Sequence, residues 1–295
     1  MKHELRFDNS ELLKEFLSTI LKEHIAVDSY NWLQERILLI SADNDAVKLQ
    51  VCFAAVSRKI EKKIVHLTLD KKEQLTNFLP GLLIEGWTLH RLCRLYILLN
   101  LNTAEKEKYC HAIESLFVNA EMNERADLHA ALPVFAYAKH WIKFCEEGIR
   151  SNLGVVLEAI MYNNPYPANY LEEAAWNQLV LKAFFTEKNI NLIVGIDARA
   201  NAPLTATLID YAKERWAAKR TVNIYLWRLV APFIDDANFG IIKELYNSKD
   251  ENTILAAALA CSISNYLPAK DLLDTRSELK TKIITNEINW GNIGL

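Results

Sequence analysis

Apolar residues recur at helical spacing along almost the whole chain, and polar or turn-forming residues interrupt them. Leu12, Leu13, Phe16, Leu17, Ile20 and Leu21 predict a first helix, with cap candidates at residues 8–10. Trp32, Leu33, Arg36, Ile37 and Ile40 predict a second. A third, entered through Asp43, Asn44 and Asp45, is read with Val47, Val51, Ala54 and Ala55 on its stripe. Thr88 and Thr103 are expected to cap two further helices, the first with Leu89, Leu92, Cys93, Tyr96 and Leu99 inward, the second with Tyr109, Ile113 and Phe117. No segment alternates apolar and polar residues with β-branched enrichment, so no strand is predicted.

Towards the C-terminus the pattern becomes apolar helices divided by short polar turns, with the Ala-rich run TILAAALACSISN among them. Small side chains there let helices approach closely. The expected fold is all-α, a right-handed α-α superhelix or HEAT-like solenoid of helix pairs, clearest over 221–287. One domain over 1–295 is expected, with a soft seam near 119–123 and a lightly docked tail from Ile288.

Composition supports the helical reading. Hydrophobic residues are 51% and charged residues 24%, enough for a sizeable core. Eight Gly and seven Pro are too few for a turn-rich β fold. The formal net charge of −3 argues against a nucleic-acid partner, which needs a basic excess to displace counterions. The run of cations at 58–63 reads as a solvated helix end. No apolar stretch reaches the ~20 residues that span a bilayer, and the N-terminus lacks a signal-peptide core. Cys52, Cys93, Cys110, Cys145 and Cys261 form no CxxC pair. They read as buried, reduced thiols of a cytoplasmic protein. The seven histidines all precede residue 141 without metal-ligand spacing, and no cofactor or metal is expected. Walker, GxGxxG and GxSxG motifs are absent from the sequence.

The densest set of directional groups lies at 145–184. On a single helical wheel Glu147, Gly154 and Glu158 fall within about 20° of one face. Their backbones would stand ~16 Å apart, too far for both carboxylates to share one ion. An ion pair with Arg150 or Lys182 explains them more simply. In the NNPYP turn, Asn163 or Asn164 can cap a helix C-terminus and Pro165 stops it. Tyr166 projects from this turn, either packing or touching a ligand. Asn177 and Lys182 sit in an apolar helix with Trp176, where Asn177 needs a partner and Lys182 is expected to be partly buried. Asn201 is an N-cap with Pro203 in the first turn, and Asp197 and Arg199 flank that helix start.

The ordered motifs EGIRSN, EAIMYNNPYPANY, AAWNQLVLKAFF, VGIDARANAPL, DYAKERW and WRLVAPF resemble those of the EboA domain family, over about 128–233. The resemblance implies a place in the ebo gene cluster of bacteria and some algae. That cluster also encodes a UbiA-like prenyltransferase, a TatD-like metallohydrolase, a dehydroquinate-synthase-like enzyme and TIM-barrel proteins, and is linked to secondary-metabolite production or export. It implies no catalytic roles. It marks Glu147, Arg150, Asn152, Glu158, Asn163, Asn164, Tyr166, Trp176, Asn177, Lys182, Asp197 and Arg199 as candidate ligand-binding positions. The reading favours a non-enzymatic accessory protein that binds a small metabolite or other ebo-pathway proteins near the NNPYP turn. The alternatives are a scaffold, or an enzyme with Lys182, Glu147 or Glu158 as base.

Overall fold

The segment Leu89–Leu99 forms a helix whose residues from Leu92 onward are all buried, including Arg94 at 4% exposure. A charged residue on such a helix requires partners inside the protein, and much of the first part of the fold is arranged to supply them. In the computed structural model, which describes residues 7–294, the described residues are all-helical with no strand. The chain divides into two compact units, one of residues up to Leu179 with Leu192–Val194, the other of Val180–Asn191 and everything from Gly195. The seam expected near 119–123 lies inside the first unit.

The first unit contains α1 (Phe7–His24), α2 (Val27–Ser41), α3 (Ala46–Lys59), α4 (Leu69–Phe78), α5 (Leu89–Leu99), α6 (Lys106–Asn119), α7 (Met122–Ala130), α8 (Ile142–Arg150), α9 (Gly154–Met161), α10 (Tyr166–Tyr170) and the start of α11 (Glu173–Phe185). Helix α5 is packed by α1, α2, α3 and α7, and α7 lies along α9. Asp45 caps α3 by accepting from Lys48 N (2.8 Å), and Thr88 caps α5 by accepting from Arg91 N (3.3 Å). Residues 8–10 fall within α1 rather than before it. Thr103 caps nothing, because α6 begins three residues later, at Lys106. His3 lies outside the described residues.

The inward face of α3 is Leu49, Cys52, Phe53 and Val56. Val47 and Val51 are 68% and 63% exposed, so the stripe expected from them is the outer one. Helix α3 is apolar on two faces, and periodicity alone does not say which of them is covered.

Arg94 is served from three directions. Nη1 donates to Asp127 Oδ2 (2.8 Å), Nη2 to Glu124 Oε1 (2.9 Å) and Nε to the Phe53 carbonyl (3.2 Å). Its guanidinium lies over the Phe53 ring. Arg91 Nε donates to the second Asp127 oxygen at 2.8 Å. Both carboxylate oxygens of Asp127 are thereby engaged, and α3, α5 and α7 are joined by one ionic network. The five cysteines are free and buried, and burial pushes the Cys52 and Cys93 thiols up to about 12.

The second unit holds α12 (Ala202–Ala217), α13 (Leu226–Val230), α14 (Phe239–Tyr246), α15 (Glu251–Ile263), α16 (Leu267–Asp274) and α17 (Ser277–Ile284). The Ala-rich α15 is its hub, touched by α13, α14, α16 and α17. Ala256, Ala257, Ala258 and Ala260 are buried there, and their lack of bulk permits the crowding. This is packing around one helix; the stack of pairs expected over 221–287 is not established by it. Beyond α17 the chain is fastened down, with Tyr225 donating to the Ile293 carbonyl (2.8 Å) and Ile293 buried. Among the described residues no helix is long and apolar enough to cross a membrane.

Removing one member of a buried ion pair strands the other without its hydration. Asp127→Ala is expected to lower unfolding free energy by about 3–5 kcal/mol in urea denaturation. A loss below ~1 kcal/mol would show that the network carries little of the stability.

Candidate functional site

The helix read as continuous through 145–161 is two helices. After Arg150 the chain leaves the α region, with Ser151 at φ −66° and ψ 155°, and α9 restarts at Gly154. Ser151 Oγ donates to the Gly148 carbonyl (2.8 Å), and Ser151 N to the carbonyls of Glu147 (3.1 Å) and Gly148 (3.1 Å). Side chain and backbone thus satisfy the end of α8. The common face for Glu147, Gly154 and Glu158 therefore does not exist. Glu147 and Arg150 are exposed on α8, where Arg150 pairs with Glu146 (3.9 Å). Asn152 is exposed in the break and Glu158 half-buried on α9.

Gly148 is required by what it touches. A Cβ there would stand 2.4 Å from His129 Nε2 and 2.5 Å from Ile160 Cδ1, so α8 seats directly on α7 and α9. His129 is buried beneath it. Nδ1 faces the Arg125 carbonyl (2.7 Å) and Nε2 the Phe144 carbonyl (3.2 Å). A neutral imidazole carries one N–H, and placing it on Nδ1 serves the shorter contact. Burial holds this histidine below its ordinary value of 6.5, despite the two carbonyls.

The NNPYP turn is a frame. Asn163 adopts φ +49°, the left-handed position after the cap of α9. Its N–H donates to the Leu192 carbonyl (2.8 Å) and its own carbonyl accepts from Leu83 N (3.3 Å). Asn164 is buried. Its Nδ2 donates to the carbonyls of Ala159 (2.9 Å) and His129 (3.1 Å), and its Oδ1 accepts from Tyr166 N (3.0 Å). One amide thereby ties the turn to α9 and α7. Tyr166 is fully buried, donates to the Ala138 carbonyl (2.6 Å) and packs against Tyr170. Burial drives its phenol far above the usual tyrosine range. The second asparagine and the tyrosine thus have structural partners, and Tyr166 faces the core instead of projecting outward. Gly81, at φ +89°, brings its loop against Pro165 and Val194, where a Cβ would lie 3.2 and 3.0 Å away.

Trp176 is buried within α11, while Asn177 and Lys182 are half-buried and belong to the first and second unit respectively. Asn201 caps α12, accepting from Leu204 N (2.9 Å) and donating to the Arg199 carbonyl (3.1 Å). Asp197 is gripped by Arg228, through Nε (2.6 Å) and Nη2, and Nη1 of the same guanidinium donates to Asn191 Oδ1 (2.7 Å). This clasp locks the loop before α12. It does not leave an open anion site there.

Two clefts among the described residues combine aromatic walls with charged side chains. One, of about 290 Å³, lies among α6, α7 and α8 and is lined by Phe117, Arg125, His129, Phe144 and Glu147. The other is larger, about 990 Å³, and lies entirely in the second unit. Trp216 and Trp227 form its aromatic wall, stacked with centroids 5.8 Å apart and planes 15° from parallel. Trp227 is buried, and Trp216 stays 38% exposed. Lys219, Arg220, Glu244 and Asp250 provide charge around it. The candidate positions did not include either tryptophan, although DYAKERW and WRLVAPF carry them. Arg125 and His129 lacked any sequence signal beyond residue type. Among the described residues no cluster of three His, Cys, Asp or Glu side chains could hold a metal ion.

Two predictions separate frame from surface. Asn164→Ala strands buried hydrogen-bonding groups and should cost about 1–3 kcal/mol in chemical denaturation, whereas exposed Glu147→Gln should stay within ~0.5 kcal/mol. Because His129 has its pKa lowered in the folded state, the unfolded chain binds the extra proton below about pH 6.5. Stability should be level above that value and fall as pH drops towards the folded pKa. Urea midpoints between about pH 7 and pH 5 check this, with a shallower slope expected in His129→Gln. Glu85, held at about 2 by the Leu67 N–H and by His66, acts only in a more acid range.

No curated protein and no solved structure shows significant similarity to the chain. A family model does match, that of the metabolite traffic protein EboA, over residues 13–231. The match begins far before the motifs at 128–233 and takes in α2 to α7 as well as the turn and both tryptophans. The chain belongs to the EboA family.

Proposed function

We propose that this protein is a non-enzymatic carrier or accessory protein of the ebo pathway, holding a flat, largely apolar metabolite against the Trp216–Trp227 pair. The observation that carries this reading is the stacked indole pair, with Trp216 partly exposed, in a cleft of about 990 Å³. Small-molecule sites are typically of ~300–1,000 Å³, apolar in the main, with a few placed polar groups. Aromatic rings prefer offset-stacked or edge-to-face contact with another π system, so a part-exposed indole at the end of a stack offers a surface for a third ring. Lys219, Arg220, Glu244 and Asp250 can orient polar edges of the ligand. The family's description as a metabolite traffic protein agrees with such a role. In this reading the central block, from Glu147 to Lys182, mainly supports the fold, and binding is moved from the NNPYP turn to the second unit.

The scaffold alternative draws support from a different observation. Leu39, Val47 and Val51 are exposed and form an apolar groove with Trp32 between α2 and α3.

Untargeted mass spectrometry of small molecules released from purified protein tests the carrier reading. Wild type should release a molecule that Trp216→Ala retains at least about tenfold less well, equivalent to roughly 1.4 kcal/mol. Equal retention by both proteins, or none by either, would sink it. Co-purifying proteins without any small molecule would favour the scaffold.

A further inference from the structure

The cleft among α6, α7 and α8 carries two charges that the rest of its surroundings leave unneutralised. Helix α7 bears Glu124 and Asp127, but both are committed to Arg94, and Asp127 also to Arg91. Glu121 closes the capping box at the start of the same helix. Arg125, half-buried between them, has among the described residues only a long side-chain contact, from Nη2 to the Phe117 carbonyl (3.5 Å). On α8 the cations are engaged elsewhere, Lys143 with Glu114 (3.6 Å) and Arg150 with Glu146 (3.9 Å). Glu147 forms no ion pair among the described residues. Arg125 and Glu147 also form no ion pair with each other, yet both line one cleft, and both act on the charge of His129 at its floor, in opposite senses.

The remaining walls are aromatic. Phe117 and Phe144 pack with ring centroids 4.6 Å apart, and the missing Cβ of Gly148 leaves the His129 ring as floor. A volume of about 290 Å³ is at the small end for a ligand site. A guanidinium offers paired donors to a carboxylate, and a carboxylate accepts from an ammonium. We infer that this cleft is a second binding site, for a small zwitterion bearing an apolar group, the chemistry of a free apolar α-amino acid. Arg125 takes the carboxylate, Glu147 the ammonium, and the phenylalanines the side chain. The site belongs to the first unit and is independent of the tryptophan cleft.

Titration calorimetry with L-phenylalanine and L-leucine tests this on the full chain. Binding is expected for the free amino acids, and about tenfold or more weaker for N-acetyl-L-phenylalanine and L-phenylalaninamide, each of which lacks one charge. Glu147→Gln should abolish discrimination against the N-acetyl form, and Arg125→Gln discrimination against the amide. Glu147 is exposed and its change leaves the fold intact, so that variant alone decides the matter if Arg125→Gln folds poorly. Trp216→Ala should bind the amino acids as wild type does. The inference is overturned if no free amino acid binds, if the N-acetyl form binds wild type equally well, or if Trp216→Ala loses the binding while Glu147→Gln keeps it.

Discussion

The buried carboxylate of Asp127 is the constraint on which the first unit depends. Helix α7 has nine residues, fewer than the ~12–15 at which an isolated helix becomes even marginal in water. Its position must be imposed from outside, and Asp127 does this by engaging two arginines of α5 at once. Arg94 carries the link on to the Phe53 carbonyl of α3. Desolvating these groups is costly, and they are tolerable only because the Asp127 oxygens and Arg94 nitrogens find partners. The same demand makes the arrangement specific, since an α7 shifted by one residue would leave charges unpaired inside the protein.

What α7 positions then follows by contact. His129, two residues after Asp127, forms the surface on which Gly148 rests, so α8 cannot approach correctly with any larger residue there. Its carbonyl receives the Asn164 amide, which in turn holds Tyr166 N and the end of α9. A chain of directional contacts runs from α5 through α7 to the NNPYP turn. The polar residues that made 145–184 conspicuous are largely the terminus of that chain.

The sequence made helix content, several caps and most inward stripes legible because these are local properties. Asp45, Thr88 and Asn201 cap the helices they precede, since a short oxygen-bearing side chain before an apolar run has few other uses. What was not legible depended on partners distant in the chain. The break after Arg150 is such a case: Ser151 and Asn152 are acceptable in a helix, and the close approach of Gly148 to His129 and to Ile160 of the next helix involves residues distant in the chain. The two apolar faces of α3 are another, because burial there is decided by α5 and α6. Trp216 and Trp227 lie eleven residues apart with a turn between them, and their stacking follows from the reversal at Lys219, which takes φ +55°.

A dense cluster of amides, prolines and tyrosines is evidence of directional demand, but it does not say whether that demand is internal or external. Here the test is whether each group's bonds close within the protein. Those of Asn164 and Tyr166 do, so mutating them would disturb the fold before it disturbed any ligand. Binding is better sought where the fold leaves something unused: a part-exposed indole at the end of a stack, or opposite charges that line one cleft without forming an ion pair. Such features add little to stability, because exposed surface and solvated charge contribute weakly. On a scaffold so thoroughly paired elsewhere, they are the places where a molecule from outside would find groups still free to bind it.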